Sequence, residues 1–216
     1  MSDPWIVHPQ LDLIVKAGVL GDEARVVDLP SHERAVVWID GRLRAVLGPG
    51  VYALWTVLHD VRVEVFDARE GAFEHPDLQV ILAAPGASEH LQTATVAAGW
   101  TGMLYRDGRL AGQLAPGVHA FWKGEEKTEV FQLDLRERAL DVSGQEIMTA
   151  DRVTLRLNAL AVYRVADPEK AVTEVDDHVQ ALYRQAQLAL RAIVGTRELD
   201  ALRRTRRGSS RRTPRS

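Results

Sequence analysis

The chain has 216 residues, 46% apolar and 26% charged, with a formal net charge of −3, a composition ordinary for a globular protein of one or two domains. It contains no cysteine, which excludes thiolate catalysis, disulfides and cysteine-ligated zinc. Seven of its 27 basic residues lie at positions 203–216, so residues 1–202 carry 20 basic against 30 acidic side chains, a balance of −10. Such a body is expected to be a poor ligand for nucleic acid, which needs a basic face.

Residues 1–29 read as an N-terminal segment. Met-Ser-Asp-Pro lacks the basic start and apolar stretch of a secretory signal, and no run of eighteen apolar residues follows anywhere, so a cytoplasmic location is expected. Pro9–Leu20 has the spacing of an amphipathic helix, with Leu11, Ile14, Val15, Gly18 and Val19 on one face. Asp12, Asp22 and Glu23 outnumber Lys16, whereas interfacial helices are basic on the polar side. Packing against the next β structure is therefore favoured over a membrane surface.

The middle of the chain is organised by self-similarity at a shift of 67 residues without a gap. Residues 34–55, RAVVWIDGRLRAVLGPGVYALW, align with 101–122, TGMLYRDGRLAGQLAPGVHAFW, and VEVFDARE (63–70) aligns with VFQLDLRE (130–137). Asp40-Gly41 and Asp107-Gly108 sit between apolar runs, the signal of a type I′ hairpin turn that needs positive φ. Pro49-Gly50 and Pro116-Gly117 supply a second turn in each copy. Val61, Val63 and Val65 alternate in one copy and Phe131, Leu133 and Leu135 in the other with opposite parity, for which a β-bulge in one copy is the expected cause.

Val153–Val165 reads as a long strand with Val153, Leu155, Leu157, Ala159, Ala161 and Tyr163 on one face. Leu160 and Val162 make the far half of its other face apolar as well. Asp167-Pro168 starts a helix, Asp as N-cap and Pro at the first position. A second helix runs from about Asp177 to Val194, carrying Leu182, Ala186, Ala189, Leu190 and Ile193 at helical spacing. Gly195 ends it, and Thr196 is placed to cap the next. Strands followed by helices make an α+β fold: two tandem antiparallel β-rich units, then helices.

No residue set points to chemistry. None of the seven histidines (His8, His32, His59, His75, His90, His119, His178) has metal-ligand spacing. The His/carboxylate neighbours His59-Asp60 and His75-Pro-Asp77 read as surface or turn residues. Gly48-Pro49-Gly50 is too short for a phosphate loop and lacks a donor at Pro. Ser143-Gly144 has no Gly-x-Ser-x-Gly around it and reads as a loop between strands. The tryptophans Trp5, Trp38, Trp55, Trp100 and Trp122 read as packing residues rather than a ligand groove. No catalytic, cofactor or metal residue is expected.

Residues 130–202 resemble the SPFH (band 7, stomatin/prohibitin-like) domain. The matching pieces are DLRE (134–137), SGQEIMTADRVTLRLNA (143–159), YRVADPEKAV (163–172) and ALRAIVGTRELD (189–200). The two preceding hairpins are similar to the opening strands of that family, and their duplication suggests a subgroup of bacterial slipins. The resemblance implies 1–29 as N-terminal segment, 30–92 as first β-rich unit, 93–202 as a C-terminally incomplete SPFH domain and 203–216 as a basic disordered tail. That ending reads as truncated or frame-shifted, where the family continues into a coiled coil, and the family's membrane-inserting hairpin is not present. The resemblance implies a non-enzymatic scaffold subunit, homo-oligomeric in its full-length form. Its clients would be membrane proteins such as proteases, with weak contact to anionic lipid at the inner face of the cell membrane. Leu182, Ala186, Leu190 and Ile193 become interface candidates. The alternative is a stand-alone β-rich module for a small ligand or peptide.

Overall fold

The computed structural model describes residues 4–124 and 126–202. Its first strands are β1 (Ala24–Leu29), β2 (Glu33–Ile39), β3 (Arg42–Leu47), β4 (Gly50–Trp55) and β5 (Val61–Asp67). A two-residue strand β6 (Ala72–Phe73) and helices α2 (Leu78–Leu82) and α3 (Ala87–His90) follow, α1 being Leu11–Lys16. Next come β7 (Leu91–Val96), β8 (Trp100–Arg106), β9 (Arg109–Leu114), β10 (Gly117–Trp122) and β11 (Thr128–Asp134). The chain continues through β12 (Arg138–Met148), β13 (Thr154–Tyr163), α4 (Pro168–Thr173) and α5 (His178–Gly195). This is an α+β architecture, as the order of strands and helices implied.

Strands β7–β11 have the bounds of β1–β5 displaced by 67 residues, strand for strand. The turns match as well. Asp40 and Asp107 have φ of 52° and 47°, and the glycines after them 71° and 76°. Glycine at the second position is required because a Cβ disfavours that left-handed region. Each aspartate also accepts from a backbone N–H twenty residues on: Asp40 from Asp60 at 3.0 Å, Asp107 from Lys127 at 2.9 Å. After β5 and β11 the sequence Asp-x-Arg closes on itself. Asp67 accepts from the Arg69 amide and guanidinium, and Asp134 from those of Arg136.

The strands form small antiparallel sheets in the orders β1–β4, β3–β2–β5, β6–β10–β7, β11–β8–β9 and β12–β13. In β2 every residue from Ala35 to Ile39 is buried. Ala35, Val37 and Ile39 join Val27, Leu29, Leu47, Leu54 and Val61 in one core. Val36 and Trp38 face a second core with Phe73, Ile81, Ala87, Leu91, Ala120 and Trp122. A half-buried strand would alternate with polar residues. The unbroken run Ala-Val-Val-Trp-Ile reflects cover on both sides.

The same two-sided burial explains the parity difference between the copies. β5 pairs with β2 in unbroken register from Glu33↔Asp67 to Ile39↔Val61, so β5 contains no bulge. Val61 and Val63 belong to one core and Phe66 packs on the other, so apolar residues occupy both faces. The bulge seen in this sheet is between β2 and β3, at Val37/Trp38.

Three sequence-level expectations change. The Pro9–Leu20 helix is confined to Leu11–Lys16, and Gly18 at φ 66° lies just beyond its end; Leu13 and Val19 are exposed. β1, inside the stretch read as an N-terminal segment, pairs fully with β4 from Ala24↔Trp55 to Leu29↔Gly50. Helices α2 and α3 were not anticipated: they are only five and four residues long and lack a side-chain N-cap bond.

Contacts divide the chain into two compact units, 1–98 with 104–131, and 99–103 with 132–216. In the second, β12 and β13 pair from Arg138↔Tyr163 to Met148↔Thr154, with a bulge between Val142 and Gln145. Helix α5 lies against β12. Asp167 accepts from the Lys170 amide, and Asp177 from those of Val179 and Gln180. Such caps stabilise a helix start by about 1 kcal/mol each. Thr196 does not cap a following helix. Its hydroxyl donates back to the Ala192 and Ile193 carbonyls, and the Leu199 amide donates to Asp151 in the β12–β13 turn.

Candidate functional site

The residues singled out from sequence serve turns and cores. His59 Nδ1 lies 2.8 Å from Asp40 Oδ2 at the first hairpin turn, the main cause that holds the Asp40 carboxyl below its ordinary range. His75 Nδ1 accepts from the Asp77 amide, so Nε2 is the protonated nitrogen and donates to Glu64 at 3.0 Å. Its ring lies beside Trp38, Phe66 and Phe73. Ser143 and Gly144 fall at the β12 bulge. Gly48-Pro49-Gly50 is a turn whose first carbonyl accepts from the Tyr52 hydroxyl. Among the described residues no group of three or more His, Asp or Glu is placed to hold a metal ion. No helix among them is long and apolar enough to cross a membrane.

Trp38 and Trp122 are buried in one core. Trp55, at the position equivalent to Trp122, is 38% exposed against 3%. Trp122 is packed against Phe66 and Phe73 within that core, which Trp55 does not join.

Several exposed apolar residues of the second unit are on β13 and α5. Leu160 and Val162, alternate residues on the outer face of β13, are 68% and 64% exposed. Their partners in register are Asp141 and Ala139, so only one of the two facing positions is polar. On α5 the sole buried residue is Val194. Leu182, Ala186 and Leu190 are half-buried, at the i, i+4 spacing that leads to Val194. Ile193, seven residues beyond Ala186 and so on the same side of the helix, is 49% exposed near its C-terminal end, and Leu188 is 58% exposed. Of the four interface candidates three are therefore half-buried and Ile193 is exposed. Leu160, Val162 and Leu188 are exposed as well, as are Met148, Val153 and Val175 of this unit; Leu160 and Val162 were visible in the sequence, as an apolar half-face of a strand.

The Asp-x-Arg turns are the strongest electrostatic features. The Arg69 and Arg136 guanidinium groups hold the Asp67 and Asp134 carboxyls down to about 2 from an ordinary 3.8. A depressed carboxylate contributes stability above its ordinary value, and the contribution is lost as pH falls through the folded value. The loss window for both turns is thus from about pH 4 to about pH 2. Arg136→Gln should raise the Asp134 midpoint toward 3.8 while leaving Asp67 near 2, read by carboxyl-carbon NMR titration. An unmoved Asp134 midpoint would show that the arginine is not the cause.

Comparison with known proteins matches residues 94–212 to the SPFH domain / Band 7 family, more than half of the chain. An uncharacterised protein of Archaeoglobus fulgidus is 46% identical over 99 residues, 46% of this chain and 39% of the relative. A stomatin homologue of Pyrococcus horikoshii is 39% identical over 100 residues, 46% of this chain and 37% of its own length. Stomatin-3 of Caenorhabditis elegans is 38% identical over 76 residues, 35% of this chain and 28% of the relative. The chain spans well under half the length of these relatives, two of which are archaeal. The matched stretch contains all of β8 to α5, including the exposed strand and helix just described, and on this evidence the chain belongs to the SPFH domain / Band 7 family.

Proposed function

We propose that this chain is a non-enzymatic scaffold subunit that associates with copies of itself at a membrane surface and organises membrane-protein clients such as proteases. Family membership supports the membrane-associated scaffold class in general. The observation that carries the self-assembly reading is the exposed apolar set Leu160, Val162, Leu188 and Ile193 within the unit matched to the family. Four large apolar side chains in contact with water favour a surface that is covered in the working state. We place the interface on α5 and β13, with Ile193 as the exposed member of the set Leu182, Ala186, Leu190 and Ile193. The first half of the chain, with its strand bounds displaced by 67 residues, is a second copy of the β-rich unit that precedes the helices.

Membrane contact in this proposal is weak and electrostatic, because the body is acidic and the basic residues concentrate at 203–216, a stretch outside the described residues. Each such arginine contributes about 1 kcal/mol against anionic lipid, screened by salt. The chain should float with phosphatidylglycerol-containing vesicles at low salt. It should lose them in 0.5 M salt, where the screening length falls to about 4 Å, and on deletion of 203–216. Binding that survives both treatments would contradict an electrostatic contact and indicate apolar insertion.

A further inference from the structure

We propose that a cleft in the first unit, lined by Arg34, Arg69 and Lys123, is a binding site for a phosphate-bearing anion. The cleft, about 680 Å³, lies beside the start of β2, the turn after β5 and the segment that follows β10. Its other described lining residues include Ser31, His32, Gly71, Trp122 and the carboxylate Glu126. A volume of this size accommodates a small ligand. Arg34, Arg69 and Lys123 thus gather at one cleft, with Asp67 bonded to Arg69, in a body whose balance is −10.

Each cation is held in place by protein atoms on part of its head group. Arg34 Nη1 donates to the Ser31 and Glu33 carbonyls at 2.9 and 2.7 Å, while its Nε is buried without a partner. Arg69 donates Nε and Nη2 to the Asp67 carboxylate. Lys123 Nζ donates to the Ser88 carbonyl. A guanidinium has five N–H donors and an ammonium three, so these bonds fix the head groups and leave further donors for a ligand. Arg106 adds a fourth positive charge behind the wall. Its guanidinium lies so close to Gly71 that a Cβ there would overlap it, and its Nη2 donates to the Glu70 carbonyl at 3.0 Å. His90 is held below its ordinary range by burial first and then by Arg34, with Glu89 opposing and Lys123 adding a smaller push the same way as Arg34.

Pre-fixed donors on three separate chain segments suit a tetrahedral anion with several oxygens, because charge-assisted bonds form with little further loss of side-chain freedom. The residues are far apart in sequence, 34, 69 and 123, which is why no local motif announces them. The cleft lies wholly within the first unit, and the proposal does not depend on self-assembly.

The test is a titration of the full chain with inorganic phosphate at constant ionic strength, against chloride, followed by amide NMR shifts. Saturable shifts are expected at 31–34, Gly71 and Lys123. Lys123→Gln and Arg69→Gln should each weaken binding about tenfold or more, and Arg44→Gln, an arginine that does not line the cleft, should leave it unchanged. Retained amide dispersion in the variants separates lost binding from lost folding, and the two variants fail independently. A second arm uses phosphatidylcholine vesicles with and without phosphatidic acid. Flotation that depends on phosphatidic acid and on Lys123 assigns the site to a lipid headgroup, and phosphate binding without it assigns a soluble phosphate ester. Absence of saturable shifts in the cleft, shifts confined to 203–216, or shifts unchanged in both variants would overturn the proposal.

Discussion

Gly86→Ala is expected to destabilise the first unit by about 3 kcal/mol or more, one of the largest single-residue effects in the chain. Gly86 precedes α3 with φ of 80°, a conformation that costs an L-residue about 1–2 kcal/mol. Strain is the smaller part. A Cβ at this position would land on the backbone carbonyl oxygen of Val46, and that strand is fixed there, because the Val46 amide donates to the Pro85 carbonyl at 3.0 Å. Backbone held from both sides cannot swing aside as the end of a flexible side chain would. Gly41→Ala separates the two causes. Gly41 has φ of 71° with nothing within 4 Å of the added carbon, so it should cost only the conformational share, about 1 kcal/mol. Denaturant unfolding of both variants gives the comparison. Equal losses at the two positions would refute the steric argument at Gly86.

Leu54→Ala should cost about 3 kcal/mol, within the range for deleting a buried leucine side chain. Leu54 is fully buried in the core that also holds Val37, Ile39 and Val61. Its backbone is fixed by Arg25 of β1 on one side and Trp5 on the other, so the site has little room to collapse onto the cavity. Leu160→Ala, at an exposed position, should stay within about 0.5 kcal/mol. Four of the five tryptophans, Trp5, Trp38, Trp55 and Trp122, belong to the first unit, so their fluorescence reports its unfolding. A loss below about 1 kcal/mol at Leu54 would mean that this core is not the stabilising centre of the unit.

What the sequence makes legible follows from how local its cause is. The turns at Asp40-Gly41 and Asp107-Gly108, and the cap at Asp167, were readable because one or two residues determine them sterically or by a single hydrogen bond. The face of β13 carrying Leu155, Leu157, Ala159, Ala161 and Tyr163 was readable because period two is strict in a strand. β1 was not, since Ala-Arg-Val-Val-Asp-Leu becomes a strand only through pairing with β4. Nor was the burial of both faces of β2, which depends on Phe73, Ile81 and Trp122 arriving from later in the chain. On α5 the spacing identified the inner stripe of Leu182, Ala186 and Leu190 but gave no sign of what lies against it. β12 lies against this helix, and of the four candidates Ile193 is the one left exposed. The cationic cleft is the extreme case, with side chains from three distant segments and no local pattern in common.

The central claim is that the chain works as an assembled scaffold, and its mass in solution tests this most directly. Sedimentation equilibrium across a range of concentrations should show species at several multiples of 24.0 kDa. Ile193→Asp and Leu188→Asp should shift the distribution toward the single chain, because a charge placed in a covered apolar contact is strongly unfavourable. A wild-type chain that stays at 24.0 kDa up to its solubility limit would contradict the account.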